Sequence, residues 1–355
     1  MKQIFCFLFL AMVAYAYDVP RSLPRALEEQ IEEDFSGIEA HSFTNRELFD
    51  WFSQCSDKNW QLVYCKIRNH QFEMIESHNK DINRHNYILV FMNELVRKYY
   101  LPDMDFVIHT ADGFLHHSVY PLFTMAANQQ AKKNVGLIPD HEALADAIHI
   151  DLILQYSQQH PWESKLNKGF FIGATTGIID QDVEDCKNDR VRAVIFSSRY
   201  PDLLEANFYT IYQDCVEKCI ARLPNKKITV PLLSFEQWLV HKYLLDIDGN
   251  CSTTMRGRSI LISNSVLLKV TSNPASNSMQ WYYKCLVPYV NYIPIKNDLS
   301  DLLEIFNWLQ THDREAHEIA MRGQELGIEI FSKASIESYV VHSLIAYAEK
   351  IRLVD

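Results

Sequence analysis

Apolar and polar positions along this chain alternate in blocks that predict an α/β protein, with strands and helices taking turns. Residues 59–76 show period-two alternation through Leu62, Tyr64, Ile67, Phe72 and Ile75, broken near Asn69-His70, which predicts a hairpin. Over 82–99 the spacing switches to Tyr87, Val90, Phe91, Leu95 and Val96, a helix that Leu101-Pro102 closes. A short buried strand, Met104 to Ile108, then runs into His109-Thr110-Ala111-Asp112-Gly113. A helix over 141–158 ends at Pro161, and Phe170-Phe171-Ile172 reads as a strand that enters the small-residue loop Gly173-Ala174-Thr175-Thr176-Gly177. Beyond it the pattern predicts a strand at 191–197, a helix near 210–222 and a strand at 228–233. A last strand from Tyr289 to Ile295 precedes two long helices, roughly 299–327 and 334–351. Ahead of all these, Glu28, Glu29, Glu32, Glu33 and Asp34 predict an acidic helix with a solvated face. Two α/β lobes meeting near residue 165 accommodate this alternation better than one sheet.

The segment from His241 to Lys269 carries the most chemistry. Its apolar run around Leu244, Leu245 and Ile247 stops at Asp248-Gly249-Asn250, and Ser252, Thr253 and Thr254 then offer helix-capping oxygens. Arg256 and Arg258 follow within one turn, and Ser265 to Lys269 reads as the next parallel strand. A helix N-terminus with unbonded N–H groups, small residues and a nearby cation suits a phosphate group. An ordinary capped strand–turn–helix accounts for the same residues without any ligand.

Residues 1–16, MKQIFCFLFLAMVAYA, have the layout of a secretory signal peptide, so the expected address is the secretory route. No other window approaches the length of a membrane span. A formal charge of −11 argues against nucleic acid as a partner. Once Cys6 leaves with the signal, Cys55, Cys65, Cys186, Cys215, Cys219, Cys251 and Cys285 remain, an odd number, with Cys55 and Cys65 the most local candidate pair. Neither Cys215 with Cys219 nor the group His109, Asp112, His116 and His117 has the spacing of a metal site. Asn250-Cys251-Ser252 matches the glycosylation sequon, but a glycan there would block the loop.

Five fragments, in order, resemble glycosyltransferase family 90, the family of Rumi-like protein O-glucosyltransferases, capsule-associated proteins and lipopolysaccharide glycosyltransferases. They are Trp162 followed by Phe170 to Gly177; Lys242 to Asn250; Asn264 to Lys269; Trp281-Tyr282-Tyr283 with Pro288-Tyr289-Val290; and Tyr292 to Ile295 through Asp298-Leu299-Ser300. The resemblance covers roughly residues 85–350. It implies a GT-B-like fold, two Rossmann-like lobes facing a central cleft. Residues 17–165 would form the acceptor-side lobe, 166–333 the nucleotide-sugar lobe, and 334–355 a helix crossing back to the first.

The resemblance also implies inverting transfer from a nucleotide-sugar, UDP-glucose being the expected donor, to a hydroxyl of a protein or glycan, with no metal or other cofactor. By motif position Asp112 is the implied catalytic base. Gly173, Ala174, Thr175 and Thr176 are the implied first donor loop, and Asp248, Gly249, Asn250 and Ser252 the second. The phosphate-binding arginine falls at Arg256, with Arg258 the alternative. In this frame Trp281, Tyr282 and Tyr283 pack and shape the donor pocket. Two positions depart from the family pattern: its phenylalanine-arginine-glycine is Phe171-Ile172-Gly173 here, and a common glutamate is Gln280. The departures motivate an alternative, a catalytically weak relative that binds nucleotide or glycan. An unrelated secreted α/β binding protein, whose loops only cap helices, is a third reading.

Overall fold

A computed structural model describes residues 18, 20–55, 60–78, 82–111, 118–128, 134–145, 150–177, 188–212, 229–274 and 277–354. The chain is α/β and divides into two compact units, the first drawn from Met1–Ala147, Gln280–Lys284 and Ser332–Asp355, the second from Ile148–Met279 and Cys285–Phe331. Residues 148–165, grouped with the first lobe by sequence, cluster with the second unit.

The first unit opens with α1 (Arg25–Phe35), α2 (Asn45–Gln54), the hairpin of β1 (Leu62–Arg68) and β2 (Gln71–Ser77), and α3 (Ile82–Lys98). Then come β3 (Met104–His109), β4 (Leu122–Thr124) and β5 (Val135–Leu137). The sheet order is β2-β1-β3-β4-β5, with β1 antiparallel to both neighbours and the last three strands parallel. Asn69 and His70 both take positive φ, 48° and 61°, the two-residue turn that matches strand twist and sets the register Arg68↔Gln71.

The second unit contains α4 (Ile150–Gln159), β6 (Leu166–Ala174), α5 (Asp189–Arg199), β7 (Leu204–Thr210), β8 (His241–Asp246), α6 (Met255–Ile262), β9 (Val266–Val270), β10 (Ile293–Ile295), α7 (Leu302–Thr311) and α8 (Asp313–Phe331). Its five strands, ordered β10-β9-β8-β6-β7, are all parallel. Every residue of β8 and β9 is buried, which is why these strands read as unbroken apolar runs. All five strands point their C-terminal ends to one edge, where open parallel sheets hold ligands.

The chain then returns to the first unit as α9 (Lys333–Ala348). There Tyr339 and Tyr347 donate to the carbonyls of Leu137 and Pro121, and Tyr347 packs among Phe35, Phe106 and Phe123. Ile351–Arg352 pairs in parallel with Phe43–Thr44. Trp281 is wholly buried, its ring 4.7 Å from that of Tyr339, so the aromatic motif packs inside this unit.

Several expectations are corrected. Residues 191–197 are helix, within α5: Asn188 caps it by accepting from the Val191 N–H, and Val191, Ala193 and Val194 are buried. The helix near 210–222 is replaced at its start by the end of β7, and 213–222 lie outside the described residues. Of the strand at 228–233, the described residues 229–233 form a single bridge, Thr229 to Phe208, because Pro231 cannot continue a ladder; residue 228 lies outside the described residues. The strand from Tyr289 is reduced to Ile293–Ile295, since Tyr289 turns at φ 59° and the Asn291 side chain accepts from Val287 N–H. The two C-terminal helices are three, α7 and α8 being separated at His312. The 141–158 helix appears as His141–Leu144 and α4, with 146–149 outside the described residues.

Asp34 is buried rather than solvated, taking bonds from Gln30 and the Leu137 N–H. Cys65 keeps an unbridged thiol, wholly buried, so the pairing with Cys55 is not formed. Among the described residues no helix is long and apolar enough to cross a membrane. Residues 1–16, Cys186, Cys215 and Cys219 lie outside them.

Candidate functional site

The C-terminal edge of the second unit's sheet brings the two predicted loops together. Thr175-Thr176-Gly177 leaves β6, and Ile247 to Thr254 leaves β8. The residue that joins them is Arg190, in the first turn of α5, which sequence reasoning missed. Its Nη1 donates to Ala174 O at 3.0 Å and Thr176 Oγ1 at 2.8 Å. Nε donates to Asp248 O at 2.9 Å, and Nη2 to Ile247 O at 3.0 Å. Gly249 has no side chain for the same reason: a Cβ would lie 2.9 Å from Arg190 Nη2 and 3.1 Å from Thr176 Oγ1. Gly177 turns at φ 135°, closed to other residues, and carries the chain over the Asp248 and Gly249 carbonyls.

Arg256 stands in the first turn of α6 and donates from Nη2 to Ile172 O at 2.6 Å, its guanidinium 4.8 Å from the Phe171 ring and 5.0 Å from the Trp238 ring. Arg258, two positions on, is fully buried against Phe331. Helical geometry makes this division, since two positions rotate a side chain by about 200°. Arg256 is therefore the arginine at the loops.

Burial lowers the pKa of Arg190, with Asp248 and Asp246 opposing, and brings that of Arg256 down to about 10, with the charge of Arg190 adding to the effect. Both remain charged at neutral pH. Among the described residues neither guanidinium touches a carboxylate: their hydrogen bonds end on carbonyls and one hydroxyl. Thr254, the N-cap of α6, makes no side-chain bond to the first turn, leaving the helix's positive end without a side-chain cap. Asp189 beside them is pushed up to about 7 by burial, with Asp248 and Asp298 adding and Arg192 opposing.

The other predicted loop residues divide by what they already bind. Gly173 and Ala174 end β6. Thr175, wholly buried, accepts from the Tyr212 N–H, and Thr176 accepts from Arg190. The Asp248 carboxylate holds Lys269 at 2.9 Å and accepts from Ser272. Ser252 is buried and laced to Ser278 through its N–H and hydroxyl. The side chains of Asp248 and Ser252 thus build the loop, while Asn250 is exposed at its tip and Arg256 is half-buried beside it.

Asp112 lies outside the described residues. The strand leading to it is firmly held as far as Thr110, whose N–H and hydroxyl donate to Gln61 O at 3.1 and 2.9 Å and whose carbonyl accepts from Arg84. His109 Nδ1 sits 3.1 Å from Thr124 Oγ1, and burial, with Arg84 adding, depresses the imidazole to about 4, so it is neutral at physiological pH. Among the described residues no group of His, Cys, Asp and Glu could hold a metal.

A sequence profile described as Glycosyl transferase family 90 matches residues 27–354. Protein O-glucosyltransferase 2 of Danio rerio is 27% identical over 307 residues, covering 82% of this chain and 56% of that protein. Protein O-glucosyltransferase 3 of Homo sapiens is 24% identical over 343 residues, covering 91% and 62%. The chain therefore spans less than two thirds of the length of these relatives. Among solved structures, that of Anabaena HepE in complex with UDP and glucose shares 11% identity at a TM-score of 0.41, covering 74% of this chain and 76% of that one.

Proposed function

The chain belongs to glycosyl transferase family 90, and from that premise we propose that it transfers a sugar, glucose from UDP-glucose being the expected donor, to a hydroxyl of a protein or glycan acceptor. The observation that carries this reading is the pair of guanidiniums, Arg190 and Arg256, bonded only to carbonyls and a hydroxyl among the described residues beside an uncapped helix end. A site that concentrates positive charge without a carboxylate contact suits a diphosphate. The names of the relatives, protein O-glucosyltransferases, favour a protein as acceptor.

In this mechanism Asp112 takes the proton of the acceptor hydroxyl as its oxygen attacks C1 of the sugar. The bond from C1 to the diphosphate oxygen breaks with its electron pair, and C1 is inverted. Arg190, Arg256 and the first-turn N–H groups of α6 stabilise the departing diphosphate, so no metal is required. The secretory route remains the expected address. Ile172, buried and apolar where the family carries arginine, favours a second reading, a nucleotide- or glycan-binding module with little turnover.

A thermal-shift and turnover screen of UDP, UDP-glucose, UDP-xylose and GDP-sugars tests both. UDP should raise the melting temperature and one UDP-sugar should be turned over; a UDP shift with no transfer or hydrolysis selects the binding module. Asp112→Asn should abolish turnover and keep the UDP shift, whereas retained turnover removes Asp112 from its role.

A further inference from the structure

We infer that Lys269 is a positioning residue of this site, an internal counter-ion that fixes the second donor loop and cancels negative charge beside the diphosphate position. The inference rests on the donor-site reading above. Lys269 is the penultimate residue of β9 and is buried, and its Nζ lies 2.9 Å from Asp248 Oδ1 and 3.2 Å from Asp246 Oδ2. Each carboxylate spends its other oxygen on a loop hydroxyl. Asp246 accepts from Thr253, next to the N-cap of α6, and Asp248 accepts from Ser272, whose hydroxyl oxygen also lies 2.9 Å from Ser278 O. One ammonium thus grips the loop at its start through Asp248 and at its end through Asp246 and Thr253. Between them lies Ile247, whose carbonyl Arg190 holds from the other side.

The charge argument is separate from the geometric one. Asp246 is fully buried and Asp248 largely so, and both act on Arg190. Two desolvated carboxylates beside a site for an anion would oppose binding, because Coulomb energies grow as water is excluded. Lys269 neutralises one of them and lets the guanidiniums dominate the field.

The test compares wild type, Lys269→Met and Lys269→Met/Asp246→Asn, with UDP affinity read by calorimetry and donor KM and kcat read separately. The double variant restores the wild-type net charge at the site, and the asparagine oxygen still accepts from Thr253. Lys269→Met should weaken UDP binding about tenfold or more, and Asp246→Asn on that background should recover most of the loss. A residue that merely fills space would show no such recovery. If Lys269→Met does not fold, the double variant decides alone: it must bind UDP within about threefold of wild type. Wild-type affinity in Lys269→Met, or a double variant as weak as the single, overturns the inference while the donor site stands. A wild-type chain that gives no UDP heat overturns the donor-site reading and this inference with it.

Discussion

The two edges of the second unit's parallel sheet both bury cations. Lysines at either edge are matched by carboxylates or can lose their charge, Lys269 included, whereas the two arginines of the C-terminal edge are treated in the opposite way. At the N-terminal edge Lys165 donates to Leu239 O and Ser265 Oγ, tying together the starts of β6, β8 and β9, and burial takes it down to about 7, where it can shed its charge. Its neighbour Lys242 binds Asp313, which also accepts from Trp162 Nε1, and lies 4.8 Å from the Trp162 ring. Charge there is lost or matched. At the C-terminal edge Arg190 and Arg256 stay protonated and meet only carbonyls and a hydroxyl among the described residues. A buried lysine can become neutral and settle as structure, whereas a buried guanidinium holds its charge for something else to answer.

Replacing Arg190 should break this contrast most severely. In Arg190→Met the two loops lose their shared donor, so the UDP-induced rise in melting temperature should vanish and kcat/KM for the sugar donor should fall about 10²–10³-fold. An unchanged UDP shift would move the anion site elsewhere. Gly249→Ala should act more gently: its methyl would sit 2.9 Å from Arg190 Nη2, raising the donor KM about tenfold with kcat little altered. Steady-state kinetics with varied donor separates the two constants.

At the opposite edge the effects should appear in stability alone. Lys242→Met leaves Asp313, about half exposed, without its partner; the melting temperature should drop by about 2–4 °C with UDP affinity unchanged. Loss of UDP affinity in this variant would show that the edges are coupled. A further effect at this edge concerns pH. Lys165 is lowered from 10.5 to about 7, so between those values the unfolded chain holds a proton that the folded chain has released. Its contribution to stability therefore rises from pH 7 towards 10, by at most about 1.4 kcal/mol per unit, and below 7 its burial penalty is constant. Denaturant unfolding at pH 7 and 9 should show this slope in wild type and a shallower one in Lys165→Met; equal slopes would mean that the ammonium is not released.

The strand–loop–helix–strand from His241 to Lys269 was legible because its signals are local: an apolar run, a break at Asp248-Gly249-Asn250, then capping residues. Arg190 was hidden because its partners lie 57 and 58 positions away and its own segment, rich in Val and Ile, reads as a strand. What makes that segment helical is the Asn188 cap and the burial of one face. Motif position gave Asp248 and Ser252 as site residues, but not that their side chains are consumed in holding the loop. Cysteine spacing said nothing of direction, and Cys65 turns into the sheet's core.

The pairing of Phe43–Thr44 with Ile351–Arg352 has a consequence for biosynthesis. His41 meets Ile351, 310 positions further along the sequence, so the first unit has to wait on the ribosome for the strand that pairs with Phe43–Thr44 and for the tyrosines of α9, while most of the second can condense as it emerges. Phe43–Thr44 is thus among the last parts of its unit to mature, and a stop codon within α9 would injure its surroundings rather than the loops that Arg190 joins.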